Sequence, residues 1–351
     1  MRFVIGRGSG AEAEQAGYLG RYRALDGSEG AALYVDLDGP HAMLIVGKRG
    51  YGKSYTLGVV AEELARAPGV APVLIDPMGV FSTLDAPVEG DPVPVEVVDE
   101  PAISADALDP RSWCSLLGLS PESGAGGLVW RAAQEARTLE GMRRRVETAD
   151  APGVDVRAAI NHVDLADSWG VFDPDGLEAA DLGGSKITVL DVSGFDAAPM
   201  NAVCRGVGEA LYRARIDGTI DRLPWLLIDE AHTFFDGVAE SALRTILSRG
   251  RAPGVSLVLA TQRPSAVSET AISQSDVLVS HRLTAEVDIA ALNAARPTYL
   301  NQPLDERLPT EPGEVVVIDD ATETIHVARI RHRDTPHGGD SPSAREVADV
   351  G

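Results

Sequence analysis

The chain has 351 residues, 44% of them apolar, enough to bury a substantial core in one large domain carrying an insertion, the leading reading, or in two domains. No apolar run reaches the roughly 18 to 20 residues of a membrane span, and the start Met1-Arg2-Phe3-Val4-Ile5-Gly6-Arg7 lacks the apolar stretch of a signal peptide, so a cytoplasmic protein with no membrane partner is expected. Fifty-three acidic residues face 31 basic ones, giving a formal charge of −22, and the only lysines are Lys48, Lys53 and Lys186. Cys114 and Cys204 lie far apart, with no second thiol or histidine at ligand spacing, which predicts packed reduced thiols and neither a disulfide nor a zinc site.

Residues 1–40 are too few for an independent core and predict a short N-terminal β region on the edge of the main domain. Beyond them, short apolar and β-branched runs alternate with helical patterns, the sequence form of an α/β domain with a mostly parallel sheet. The predicted strands are Ala42 to Val46, Val73 to Ile75, Ile187 to Asp191, Trp225 to Ile228, Ser256 to Ala260 and Val277 to Arg282. Glu314 to Ile318 and Thr324 to Arg329 flank the turn-like Asp319-Asp320-Ala321-Thr322 and predict a C-terminal β-hairpin. Between the second and third strands an Ala-, Glu- and Arg-rich stretch predicts helices near Gly127 to Thr138, Leu139 to Thr148 and Val156 to Trp169, hence a helical insertion over 102–182. The core is then 41–101 with 183–336, and 337–351, rich in Gly, Ser and Asp, is expected to be mobile or an extended arm.

Gly47-Lys48-Arg49-Gly50-Tyr51-Gly52-Lys53-Ser54 matches G-x-x-x-x-G-K-[ST] and stands between an apolar strand and a helical pattern, the context that gives the motif meaning. The glycines let backbone N–H groups converge on phosphates at the positive end of the helix that starts near Lys53. Lys53 is expected to reach the β- and γ-phosphates and Ser54 to ligate Mg²⁺, with Tyr55 following on the helix; ATP and Mg²⁺ are the predicted cofactors. Lys48 and Arg49 read either as solvated loop charges or as contacts to a neighbouring subunit. A second apolar run, Leu223 to Ile228, ends in Asp229-Glu230-Ala231-His232. Asp229 is expected to hold the Mg²⁺ shell and Glu230 to polarise the attacking water, with His232 either in the site or packed beside it. A third strand ends in Thr261-Gln262-Arg263-Pro264, and ligands bind beyond the carboxyl ends of such strands, so Thr261 and Gln262 are expected to sense the γ-phosphate.

These three motifs, in this order, resemble the HerA-FtsK superfamily of DNA-translocating ATPases, and within it the archaeal HerA-like proteins. Ile75-Asp76-Pro77-Met78-Gly79-Val80-Phe81 resembles that group's Asp-Pro-His-Gly-Glu-Tyr segment, and Ser248-Arg249-Gly250-Arg251 its basic element before the sensor strand. Arg331-His332-Arg333-Asp334-Thr335-Pro336-His337-Gly338-Gly339 corresponds loosely to its C-terminal arm. The resemblance implies a RecA-like P-loop core assembled as a ring, usually a hexamer, moving along double-stranded DNA with a NurA-type nuclease as partner. It also implies an arginine supplied by the neighbouring subunit, for which Arg249 and Arg251 are the candidates. The N-terminal region is much shorter than the β-barrel of full-length HerA proteins, which bears on nuclease docking. Met78 and Val80 stand where the family has His and Glu, which removes an accessory carboxylate.

The acidic, lysine-poor composition resembles that of salt-in halophiles, where molar salt shortens the Debye length to about 3 Å, so a haloarchaeal source is expected. The same charge opposes bulk attraction to DNA; a closed ring retains duplex topologically, and Arg143-Arg144-Arg145 reads as either a channel contact or a solvated helix face. The leading expectation is a DNA translocase. The alternatives are a genome-packaging or conjugation ATPase of a virus or mobile element, and a nucleotide-dependent switch that binds a protein.

Overall fold

Seven parallel strands and a run of antiparallel ones share one sheet in the computed structural model, which describes residues 3–7, 15–24, 27–88, 91–295 and 304–339. The strands are β1 (Phe3–Ile5), β2 (Ala16–Arg23), β3 (Glu29–Asp36), β4 (Ala42–Val46), β5 (Val70–Asp76) and β6 (Val95–Asp99). They continue as β7 (Ile187–Asp191), β8 (Leu223–Ile228), β9 (Ser256–Thr261), β10 (Val277–Ser280), β11 (Glu314–Asp319) and β12 (Thr324–Ile330). Their order across the sheet is β1-β3-β2-β12-β11-β10-β4-β9-β8-β5-β7-β6. From β10 to β6 every pairing is parallel, whereas β11 and β12 form the expected antiparallel hairpin and carry β2 and β3 on its far side.

The parallel strands read as continuous apolar runs because both faces are covered; every residue of β5 and of β9 is buried. Alternate side chains enter opposite cores, as the period of two requires. Leu44, Val73, Ile75, Leu226 and Ile228 belong to one core, and Met43, Ile45, Leu74, Trp225 and Leu227 to the other. Helix α1 (Lys53–Arg66) packs into the second core through Leu57, Val60 and Leu64, together with Leu19, Leu33 and Val35 of the N-terminal strands.

Between β6 and β7 lie α2 (Pro110–Leu116), α3 (Gly124–Glu135), α4 (Leu139–Glu147), α5 (Gly153–Asp167) and α6 (Ala179–Leu182). Side-chain caps place their starts. Asp109 caps α2, with Pro110 at its first position, Ser123 accepts from Gly126 N, and Thr138 accepts from Gly141 N. Ser123 therefore starts α3 three residues before the sequence pattern does, and Thr138 belongs to the start of α4 rather than the end of α3. The remaining helices are α7 (Ala197–Asp217), α8 (Glu240–Arg249), α9 (Glu269–Ser273) and α10 (Glu286–Ala294). Strand β6 is absent from the sequence reading: it is a half-exposed edge strand entered through Pro92 and Pro94, and its alternation is too short to stand out. Of the expected C-terminal tail, His337–Gly339 are placed against the body of the protein and 340–351 lie outside the described residues.

Candidate active site

The loop after β4 is built on the end of β10. His281 N donates to Val46 O at 2.8 Å, and Lys48 N donates to Arg282 O at 2.8 Å. The His281 ring lies under the turn: a Cβ on Gly47 would fall 2.5 Å from His281 Cβ, and one on Gly52 3.2 Å from Cε1. Gly50 and Gly52 hold φ of 80° and 105°, the left-handed region that turns successive N–H groups toward one concavity at the start of α1. His281 is buried, and burial with the nearby Lys53 charge brings its pKa down to about 3. It is thus a neutral ring, hydrogen-bonded through Nε2 to Thr56 Oγ1 at 2.9 Å.

Strand ends supply the acids. Ser54 Oγ donates to Asp229 Oδ2 at 2.8 Å, joining the start of α1 to the end of β8. Burial and the adjacent Glu230 charge hold the Asp229 carboxyl above the usual range, against the Ser54 hydroxyl, the Glu230 N–H and Lys53. Asp76, at the end of β5, is pushed up to about 6, chiefly by burial, although Phe81 N and Met78 N donate to it at 2.7 and 3.1 Å. Its work is to fold the Asp76–Phe81 turn.

Glu230 has φ of +44°, a conformation that costs a side-chain-bearing residue about 1–3 kcal/mol and tends to persist where function requires it. Its Oε1 lies 3.9 Å from Lys53 Nζ. Its Oε2 is buried 3.4 Å from His232 Nδ1 and accepts no hydrogen bond among the described residues. His232 is kept neutral by burial and by the charges of Arg263 and Lys53. Its Nδ1 pairs with Thr261 Oγ1 at 3.2 Å, while that oxygen also accepts from Arg263 N at 3.0 Å. The Thr261–His232 contact ties the end of β9 to the turn that carries Glu230.

Arg49 to Thr56, Asp229 and Glu230 line a cleft of about 600 Å³, within the size range of small-molecule sites. Met78, Val80, Pro312, Gly313, Arg329 to His332, His337 and Gly339 complete the lining. Gly47 sits on the underside against His281, and Lys48 turns away, its ammonium 4.6 Å from the Tyr51 ring. Gln262 lines a separate cleft of about 350 Å³ with Lys48, Arg49, Arg263 and Asp288, adjoining the phosphate loop from the β9 side. Arg249, the last residue of α8, and Arg251, two residues on, are exposed at the end of the sheet where β9 begins, opposite the end carrying the phosphate loop.

The donor set suits Mg²⁺: a hydroxyl and one carboxylate are in contact, and no group of three or more His, Cys, Asp or Glu among the described residues forms a protein-only metal site. Mg²⁺ usually binds through one or two carboxylates and keeps water and phosphate oxygens as its other ligands. Sequence reasoning missed His281, Thr56 and the Pro312-Gly313 wall. No local pattern marks them, because each acts by contacting a loop distant in sequence.

The family of the helicase HerA central domain matches residues 19–150, which contain the phosphate loop and the Asp76 turn. Among solved structures, VirB4 of Thermoanaerobacter pseudethanolicus superposes with a TM-score of 0.69 at 16% identity, over 97% of this chain and 100% of that one. The bacterial conjugative coupling protein TrwBdeltaN70 superposes with a TM-score of 0.58 at 14% identity, over 96% and 98%. At these identities the likeness is one of fold, a RecA-like P-loop architecture. No curated protein matches the chain significantly.

Proposed function

We propose that this protein hydrolyses ATP with Mg²⁺ and uses the energy as a HerA-like motor on double-stranded DNA, working as a ring, with a hexamer as the expected size. The observation that carries the reading is Glu230: a strained acid with an open, buried Oε2, standing beside Lys53 and the Ser54–Asp229 pair. A nucleotide-binding switch has no need of such a base. In this reading Lys53 and the N–H groups of residues 49–53 hold the β- and γ-phosphates. Ser54 and Asp229 hold Mg²⁺, which when bound neutralises phosphate charge. Glu230 takes the proton of the attacking water as the bond to the γ-phosphorus forms, and ADP leaves. Thr261 and His232 connect the ends of β9 and β8 to this acid, and Gln262 faces the adjoining cleft.

Arg249 and Arg251 are too remote from their own phosphate loop to act within the chain, so their proposed role is on the neighbour's nucleotide. The HerA central-domain match supports the motor class. Arg143-Arg144-Arg145 offers DNA little, because Glu147 and Asp164 pair with Arg143, Glu140 with Arg144 and Glu135 with Arg145. Topological retention in the ring is therefore the proposed mode of holding DNA. No described helix is long and apolar enough to cross a membrane. ATP hydrolysis measured in molar KCl, with and without linear duplex DNA, tests the reading: stimulation is expected, and a rate unmoved by DNA points to a protein-binding switch.

A further inference from the structure

The cleft lining is chemically of two kinds. The phosphate loop gives glycine backbone, lysine and acid, whereas Met78, Val80, His332 and His337 give an apolar and aromatic surface. Met78 is 58% exposed, one of few large apolar side chains among the described residues left facing solvent. An apolar wall with a few polar groups is the surface that takes the flat face of an aromatic ring.

Half of that wall is the C-terminal segment, and it is fastened with unusual care. Glu62, on the buried side of α1, is fully covered and accepts from Asp334 N at 3.1 Å, Thr335 N at 2.9 Å and Thr335 Oγ1 at 2.7 Å. Arg331 pairs with Glu62 at 2.8 Å and with Glu63 at 2.7 Å, and Arg333 Nε lies 3.6 Å from Glu62. Tyr55, the residue after Ser54, accepts from Arg333 N through its hydroxyl at 2.7 Å, and its ring meets that of His337 edge-on at 5.5 Å. Gly338 lets the segment close on the Met78 loop, since a Cβ there would stand 2.7 Å from Val80 O. The helix that begins at the phosphate loop thus holds this part of the lining, through Tyr55 in its first turn and Glu62 and Glu63 in its third.

We infer that the segment Arg331–Gly339, with Met78 and Val80, forms the nucleobase subsite of this chain, and that Glu62 is its positioning residue. The inference rests on the nucleotide reading given above and adds where the base binds. A triphosphate chain seated on Lys53 and Ser54 directs its nucleoside along Tyr55 toward His337. The ring then stacks against Met78 and the His337 side chain, and a purine covers more of this wall than a pyrimidine.

The test compares two probes, ATP and inorganic tripolyphosphate, each with Mg²⁺, titrated into the full-length protein and into two variants. The exposed Met78 makes Met78→Ser/His337→Ala a mild change to the fold. This variant is expected to bind ATP about five- to tenfold more weakly while its tripolyphosphate affinity stays within about twofold. Glu62→Gln is expected to show the same split, since a merely structural loss would weaken both probes together. Equal affinity of the unaltered protein for ATP and tripolyphosphate overturns the inference, as does a parallel loss of both probes in Met78→Ser/His337→Ala. Binding of neither probe to the unaltered protein would instead overturn the nucleotide reading itself.

Discussion

The Ser54 hydroxyl donates to the Asp229 carboxylate across 2.8 Å, although 175 positions separate the two residues. The contact joins the first turn of the phosphate-loop helix to the end of β8, and these are the two residues proposed above to hold the cation. Ser54→Ala is expected to lower Mg²⁺-dependent hydrolysis by about 10²-fold or more, because the metal's charge stabilisation is worth several kcal/mol. Chelation of the metal should stop hydrolysis in the unaltered protein. Steady-state phosphate release at a fixed ATP concentration, with and without EDTA, is the measurement.

Glu230→Gln keeps the volume and the backbone conformation but removes the proton acceptor. Hydrolysis should fall about 10²- to 10⁴-fold, the range for a general base, while ATP binding changes only a few-fold. A variant that hydrolyses at the original rate would transfer the role to another residue.

His281→Ala leaves the Thr56 hydroxyl without its ring partner and opens space under Gly47 and Gly52. The expected cost is about 2–4 kcal/mol of stability, accompanied by weaker ATP binding as the loop loses its floor. Urea unfolding monitored by tryptophan fluorescence gives the first quantity and nucleotide titration the second.

Gly58→Ala reverses an ordinary expectation. In a helix interior the change usually stabilises by about 1 kcal/mol. Here the new Cβ would stand 2.7 Å from Arg333 Cζ, and that guanidinium is buried and donates to Thr335 Oγ1 at 2.8 Å. Gly58→Ala should therefore loosen residues 331–339, seen as faster limited proteolysis in that segment and a lower melting temperature. A rise in melting temperature with unchanged proteolysis would show that Arg333 yields freely.

At the opposite end of β4 from the phosphate loop, buried His41 is hydrogen-bonded to Asp276 at 2.8 Å and Asp36 at 3.2 Å, and Arg7 pairs with Asp36 as well. Burial by itself would lower the His41 pKa, but the two carboxylates outweigh it and push it up to about 9. A raised folded-state value means that the stabilisation is complete below the unfolded value of about 6.5 and is lost as pH climbs through about 9. Stability should fall by on the order of 3 kcal/mol between pH 6.5 and 10 from this site, and His41→Gln should flatten that limb of the unfolding free energy against pH.

With a formal charge of −22, self-repulsion opposes the folded state at low ionic strength. The melting temperature is expected to rise by several degrees between 0.15 and about 2 M KCl as the Debye length contracts. A fall over that interval would count against the haloarchaeal expectation.

The phosphate loop and the acidic strand end are legible in sequence because their chemistry is local. Gly50 and Gly52 occur where the backbone itself needs positive φ, Lys53 and Ser54 follow at fixed spacing, and Asp229-Glu230 directly ends a buried run. The parallel core is equally legible, since strands covered on both faces must be apolar throughout. Sequence pattern also placed α3, α4 and α5 to within a few residues at their ends, and the hydroxyls of Ser123 and Thr138 set the starts of the first two.

Tertiary structure alone decided which residues complete the cleft. His281 meets Thr56 across 225 positions, and Glu62 meets Thr335 across 273. Such pairs leave no periodicity and no spacing to read, for a single histidine after β10 or a glutamate on an amphipathic helix looks like any other. Only the order of strands in the sheet, with β10 beside β4 and β12 linked to them through β11, brings these side chains to the phosphate loop. The sequence by itself determined the phosphate-loop motif and the strands that flank it, because both are local patterns; the packing of distant strands decided which side chains stand around that loop.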